Sequence, residues 1–245
     1  MRVICWFSCG AASAVATKLT LRKYPDAVVV RCYVAEEHPD NDRFALDCEK
    51  WFGVQIITLR NGKYLGSVHE VIRRRKYISG IAGAPCTMLL KKEVREAFQE
   101  PTDRHVMGYT VEEQDRFDSF LDANNIDCIA PLIEARLTHS NCLAIVQDSG
   151  IELPTMYQLG YKHNNCIGCV KATGAGYWNK IRTDFPQQFN KMAVVSRALG
   201  VRMTRHGSER VFLDELKEGY GRYTDEPEIQ CGIFCEMAKS ENNHA

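Results

Sequence analysis

The 245-residue chain has no excess of charge of either sign, with 31 Lys and Arg balancing 31 Asp and Glu. No global positive field therefore draws it toward a nucleic-acid backbone or an anionic membrane. Long apolar runs are missing as well: none approaches the ~20 residues of a membrane-crossing helix, so no membrane partner is expected. No charged-then-apolar segment of the secretory kind opens the chain, which sets the expectation of a cytoplasmic protein. Internal repeats, low-complexity tracts and an evident linker are also lacking. At this length the chain can bury a full core, read as an α/β domain with a smaller C-terminal extension.

Cysteine, by contrast, is abundant, at eleven residues. Without a secretory signal a disulfide scaffold is not expected, and thiols in close pairs point to metal binding or redox work. The odd count leaves at least one thiol unpaired within a monomer.

The pattern alternates strands and helices. Val3 to Phe7 is an apolar run that turns at Ser8-Cys9-Gly10 into an Ala-rich helical stretch beginning Ala11-Ala12-Ser13. Ala27–Val34, Val54–Leu59, Arg104–Met107 and Asp127–Ile133 read as further strands, with helical patterns over Arg43–Phe52, Val94–Phe98 and Glu112–Ala123. Strands separated by helices imply parallel pairing, with ligands at the strand C-terminal ends. The expectation is a doubly wound, mostly parallel five-stranded sheet over residues 1–160, with a mainly helical, cysteine-containing extension over 161–245.

The turn at Ser8-Cys9-Gly10 carries chemistry. Unpaired N–H groups and the positive end of a helix dipole make a phosphate cradle, small residues allow close approach, and Ser8 and Ser13 offer hydroxyl donors. The competing reading is an ordinary first β–α turn. It is not a Walker A loop, because the Gly-Lys-Ser/Thr ending is absent.

Asn165-Cys166-Ile167-Gly168-Cys169 is a Cys-x-x-Cys knuckle, Cys231 and Cys235 form a second close pair, and Cys86 follows Gly83-Ala84-Pro85. Thiolates at such spacing suit an iron–sulfur cluster or structural zinc. Cys5, Cys32, Cys128 and Cys142 read as small core residues. Arg73-Arg74-Arg75-Lys76 reads as a solvated helix face, with an anion- or RNA-holding rim as the alternative. Gly174 to Arg182, rich in aromatics and cations, reads as an extension packed on the core rather than a base-stacking surface.

Ser8-Cys9-Gly10-Ala11-Ala12-Ser13 resembles the pyrophosphate (PP) loop of the adenine-nucleotide α-hydrolase superfamily, written Ser-Gly-Gly-x-Asp-Ser. It matches at Ser8, Gly10 and Ser13, with Ala12 where ATP-cleaving members carry Asp. The looser form resembles the sulfonucleotide (PAPS/APS) reductase branch. Ala84 to Lys91 resembles that family's first cluster-ligand segment, with a lone Cys86 where the family has two adjacent cysteines. Gly160 to Cys169 resembles its second ligand segment, and Met107 to Arg116 its Gly-x-Arg-x-x-Glu-Ser-x-x-Arg stretch.

The resemblance implies an adenine nucleotide (PAPS, APS or ATP) held by Ser8 to Ser13, Tyr33, Gly108 and Arg116. It implies a [4Fe-4S] cluster, with zinc as the alternative, on Cys86, Cys166, Cys169 and a fourth ligand, Cys235 or Cys231. Gln230-Cys231-Gly232-Ile233 resembles the family's nucleophile motif without its Glu and His, making Cys231 the candidate catalytic thiol. The implied reaction reduces the sulfonucleotide to sulfite, with a thioredoxin-like reductant as partner and a homo-oligomer as the expected assembly. Two other readings stand beside it: ATP-dependent thiolation of a tRNA or DNA base, with a nucleic-acid partner, and a non-catalytic nucleotide-binding protein.

Overall fold

The computed structural model describes residues 1–80, 83–124 and 126–223. Its centre is a parallel five-stranded sheet of β1 (Val3–Trp6), β2 (Val28–Cys32), β3 (Ile56–Leu59), β4 (Arg104–Val106) and β5 (Cys128–Ile129). The spatial order is β3-β2-β1-β4-β5. The chain thus builds outward from β1 to β3, then returns to the other side of β1 for β4 and β5. The reversal falls between the neighbouring strands β1 and β4.

β1 is buried on both faces, as an interior parallel strand requires. Its period-two alternation splits the core. Val3, Cys5 and Phe7 join a cluster with Phe44, Phe52 and Cys142, while Ile4 and Trp6 join Met107, Phe117 and Phe120 on the other face. Fully burying a side chain such as Phe44 stabilises the fold by roughly 1.5–3 kcal/mol.

The helices of the sheet region are α1 (Ala11–Lys23), α2 (Asp40–Phe52), α3 (Val68–Arg75), α4 (Pro85–Thr87), α5 (Glu93–Glu96), α6 (Gln114–Ala123), α7 (Pro131–Glu134), α8 (His139–Asp148) and α9 (Thr155–Gln158). A π-helical turn at Met88–Lys92 joins α4 to α5. The expected fifth strand, Asp127–Ile133, is cut short after Ile129. Pro131 has no N–H for the sheet ladder, and it opens α7 instead, where its fixed φ suits the first helical turn.

Beyond α9 come α10 (Ala175–Asp184), α11 (Pro186–Ala198) and a hairpin of β6 (Thr204–His206) and β7 (Glu209–Val211). Trp178, Tyr177 and Ile181 of α10 are buried, and they share one cluster with Val71, Ile72 and Leu90. The aromatic and cationic run over 174–182 therefore packs inward. Lys180 lies over the Tyr161 ring at 4.6 Å and Arg182 over Phe189 at 4.4 Å, with their stems along apolar surface.

Candidate nucleotide site and cysteine cavity

A cavity of about 570 Å³ opens at the carboxyl ends of β1 and β4, where the strand order reverses. This is where doubly wound sheets hold ligands, and the volume lies within the usual range for small-molecule sites.

One end of the cavity is the start of α1. Gly10 caps this helix without a side-chain hydrogen bond, and no acidic residue stands in its first turn. The first N–H groups of a helix have no intrahelical partner, and the dipole adds partial positive charge there. Ser8, Gly10, Ala12 and Ser13 line the cavity at this end.

The hydroxyl of Ser13 is engaged inside the loop. It donates to the Gly10 carbonyl at 2.9 Å and accepts from the Ser8 N–H at 3.0 Å, while Ser8 Oγ lies 3.1 Å away. Ser13 therefore shapes the loop, and the exposed Ser8 presents the hydroxyl nearer to solvent.

Cys9 and Ala11 do not line the cavity; both are buried beneath it. Cys9 has φ +57°, the left-handed region that glycine occupies without strain. Burial pushes its thiol up to about 12, with Glu37 adding to the shift and Arg31 opposing it. At neutral pH Cys9 is a thiol, not a nucleophile.

Gly108 follows β4 and faces α1. A Cβ there would lie 2.9 Å from the Cα and N of Ser13. Its missing side chain permits contact between two backbones, and Gly108 also lines the cavity. Arg116 lines the cavity, pairs with Glu113 at 2.8 Å and lies over the Tyr109 ring at 5.2 Å. Tyr33 lies elsewhere. Its N–H donates to Leu59 O on the β3 side, and its ring lies 5.1 Å from the Arg60 guanidinium.

Several lining residues were not singled out from the sequence: Lys91, His139, Tyr157, His163 and Asn164. They come from four separate segments and share no spacing motif. His139 meets His163 edge to face with ring centres 5.6 Å apart, and burial followed by His163 depresses its pKa. Tyr157 is a half-buried link: its hydroxyl accepts the Ala11 N–H at 3.4 Å, and desolvation of that hydroxyl holds its pKa up at about 12.

Cys86, Cys166 and Cys169 line one small cavity of about 20 Å³, together with Glu36 and His69. The wall segment 161–165 of the larger cavity runs directly into this knuckle. Gly168 turns it with φ +70°, and the Cys169 N–H donates to the Tyr177 hydroxyl at 2.8 Å. The Ile167 N–H donates to Glu36 O at 2.8 Å. The Glu36 carboxylate in turn accepts from Ser67 Oγ at 2.6 Å and from the Val68 N–H at 2.7 Å. The knuckle is thus tied to the start of α3. Three thiols around one cavity are the right donors for a soft metal centre. Among the described residues, however, no group of three or more His, Cys, Asp or Glu is arranged to hold a metal ion. Cys231 and Cys235 lie outside the described residues.

The remaining cysteines are not exposed. Burial pushes Cys5, Cys128 and Cys142 to about 12 and Cys32 to about 11. The basic run lies on α3, where Arg73 and Arg74 both pair with Glu70. No helix among the described residues is long and apolar enough to cross a membrane.

No family profile matches the chain, and no characterised protein matches it by sequence. Two of the solved structures similar in shape are as follows. One is a phosphoadenylyl-sulfate (PAPS) reductase from Candida auris in complex with phosphate, 12% identical, covering 66% of this chain and 79% of its own, with a TM-score of 0.48. The other is the U34-tRNA thiolase NcsA from Methanococcus maripaludis with its [4Fe-4S] cluster, 13% identical, covering 82% and 72%, with a TM-score of 0.39. At these scores the functional reading stands on the chain's own loop, sheet order and cysteines. These define a doubly wound α/β protein with a small-residue loop at its strand reversal.

Proposed function

We propose that the chain is a sulfonucleotide reductase of the PP-loop superfamily, acting on PAPS or APS. One observation carries the reading. The N-terminus of α1, without a side-chain cap from Gly10 or an acidic residue in its first turn, opens into a nucleotide-sized cavity at the β1/β4 reversal, and a wall of that cavity continues into the Cys166–Cys169 knuckle. The loop's resemblance to the PP-loop, with Ala12 in place of the acidic residue of ATP-cleaving members, favours a bound nucleotide whose phosphoanhydride is attacked elsewhere than at phosphorus.

The N-terminus of α1 takes the anionic end of the nucleotide through the N–H groups of its first turn. Trp6, Met107 and Leu143 give the cavity an apolar surface for the base. Arg116, though paired with Glu113, adds a cation for a phosphate or sulfate oxygen. The Cys231 thiolate attacks the sulfate sulfur, forming an S–S bond as the sulfur–oxygen bond to the adenosine phosphate breaks and that phosphate departs with the electron pair. A dithiol of the thioredoxin kind then reduces the S-sulfocysteine, releasing sulfite and becoming a disulfide.

Cys86, Cys166 and Cys169, completed by Cys235, would hold a [4Fe-4S] cluster. When bound, such a cluster supplies a redox-active, electron-accepting centre on the same segment as the nucleotide wall.

The test is sulfite release from PAPS and from APS with a dithiol reductant under anaerobic conditions, beside calorimetric binding of ADP. Nucleotide-dependent sulfite release supports the reading. Tight ADP binding without sulfite release, together with ATP-dependent sulfur transfer to a tRNA or DNA base, replaces it with the thiolation reading.

A further inference from the structure

Asn164 joins the anion loop to the cysteine knuckle. Its Nδ2 donates to the Cys9 carbonyl at 2.6 Å and to Asn41 Oδ1 at 2.8 Å. Its backbone hydrogen-bonds the Tyr157 hydroxyl, which also takes the Ala11 N–H. Two acceptors can be served only by the amide nitrogen, which fixes the orientation of the side chain. Asn41 is oriented in its turn by donating to Glu37 at 3.3 Å. Two residues past Asn164 is Cys166, on the wall of the thiol cavity.

Two further observations set this amide apart from ordinary packing. The residue it grips, Cys9, has φ +57°. A non-glycine residue holds that conformation only when its surroundings over-determine it. Asn164 is also buried, and its Oδ1 has no hydrogen-bond partner among the described residues. An apolar side chain there would strand the Cys9 carbonyl and Asn41 Oδ1 without their donor.

We propose that Asn164 is a positioning residue that couples nucleotide binding at the anion loop to the ordering of the Cys166–Cys169 knuckle. The inference rests on the nucleotide reading above. The switching element is the Cys9 peptide. Gripped by Asn164, it keeps its left-handed turn and the first turn of α1 faces the cavity; released, it relaxes toward negative φ and the loop closes on itself. An anion on the Ala12 and Ser13 N–H groups favours the gripped state, in which residue 164 is held against the loop. The knuckle is hinged at Ile167 by Glu36, so a fixed residue 164 orders the stretch between them. By reciprocity, ordering of that stretch raises nucleotide affinity by the same factor.

The experiment is amide hydrogen exchange of the full chain, as purified, with and without ADP as an unreactive isostere of the phosphosulfate. In the wild type, ADP slows exchange in the 165–171 peptide about fivefold or more, while the β3 peptide at the sheet edge is unchanged. Asn164→Ala loses that protection and binds ADP about five- to thirtyfold more weakly. Cys9→Gly in the Asn164→Ala background recovers ADP affinity, because glycine takes the left-handed turn without help, yet does not recover protection of the knuckle. That split between affinity and protection is one that a merely structural Asn164 would not produce. ADP binding that leaves 165–171 unprotected in the wild type, or protection unchanged in Asn164→Ala, overturns the inference alone. Absence of ADP binding to the wild type overturns the nucleotide reading and the coupling with it.

Discussion

Gly108 and Ser13 meet backbone to backbone: a Cβ on Gly108 would sit 2.9 Å from the Cα and N of Ser13. This contact seats the loop after β4 on the first turn of α1 and so closes the nucleotide-sized cavity at the strand reversal. Because the obstruction is backbone, no rotamer change relieves it. Gly108→Ala is expected to cost about 1–3 kcal/mol of stability and to lower ADP affinity about tenfold or more, one decade for each ~1.4 kcal/mol. Urea unfolding and calorimetry check the two effects. An alanine variant with wild-type affinity would show that the cavity does not depend on this contact.

A second expectation concerns acid stability. The Arg43 guanidinium beside Asp40, followed by the backbone N–H of Thr155, holds the Asp40 carboxyl at about 2, below its ordinary 3.8. A depressed folded pKa contributes stability that is complete above the unfolded value and is lost as pH falls through the folded one. The contribution is therefore present above about pH 4 and fades between pH 4 and 2. Asp40→Asn should cost about 1 kcal/mol at pH 7, solvent screening being allowed for, and close to nothing near pH 2. Chemical unfolding at the two pH values measures this; an equal cost at both would assign the loss to packing.

Arg73 and Arg74 give the third. Both are held by Glu70 on the exposed side of α3, and neither lines the nucleotide-sized cavity. Replacing both with alanine should leave ADP affinity within about twofold, since exposed ion pairs contribute ~0–1 kcal/mol. A larger loss, measured by the same titration, would mean that this run reaches an anionic ligand.

Much of this was legible in the chain because local rules and tertiary demands agree. The run Val3 to Trp6 is apolar at every position and is buried on both faces, and the small residues after it leave the start of α1 without a side-chain cap from Gly10. Pro131 shows where legibility stopped: the apolar stretch from Cys128 reads as one strand, but a missing N–H ends it. Cys166 and Cys169 pair by their spacing and Cys86 joined them through the resemblance of its segment, and one cavity does bring the three together. Tyr157 and Asn164 could not be read in this way, since their partners, Ala11 and Cys9, are about 150 residues away and no motif records a hydrogen bond across that span. Tyr33 follows β2, and its ring lies by the Arg60 guanidinium rather than among the residues lining the cavity.

The most direct measurement asks whether Cys231 receives the sulfonate. The protein is incubated anaerobically with PAPS or APS and no reductant, then digested and weighed by peptide. The account predicts one SO₃ group on the peptide containing Cys231 and release of the matching adenosine phosphate, with the adduct lost as sulfite when a dithiol is added while the adenosine phosphate stays in solution. Sulfite production by the Cys231→Ser protein, or an adduct confined to Cys86, Cys166 or Cys169, would contradict it.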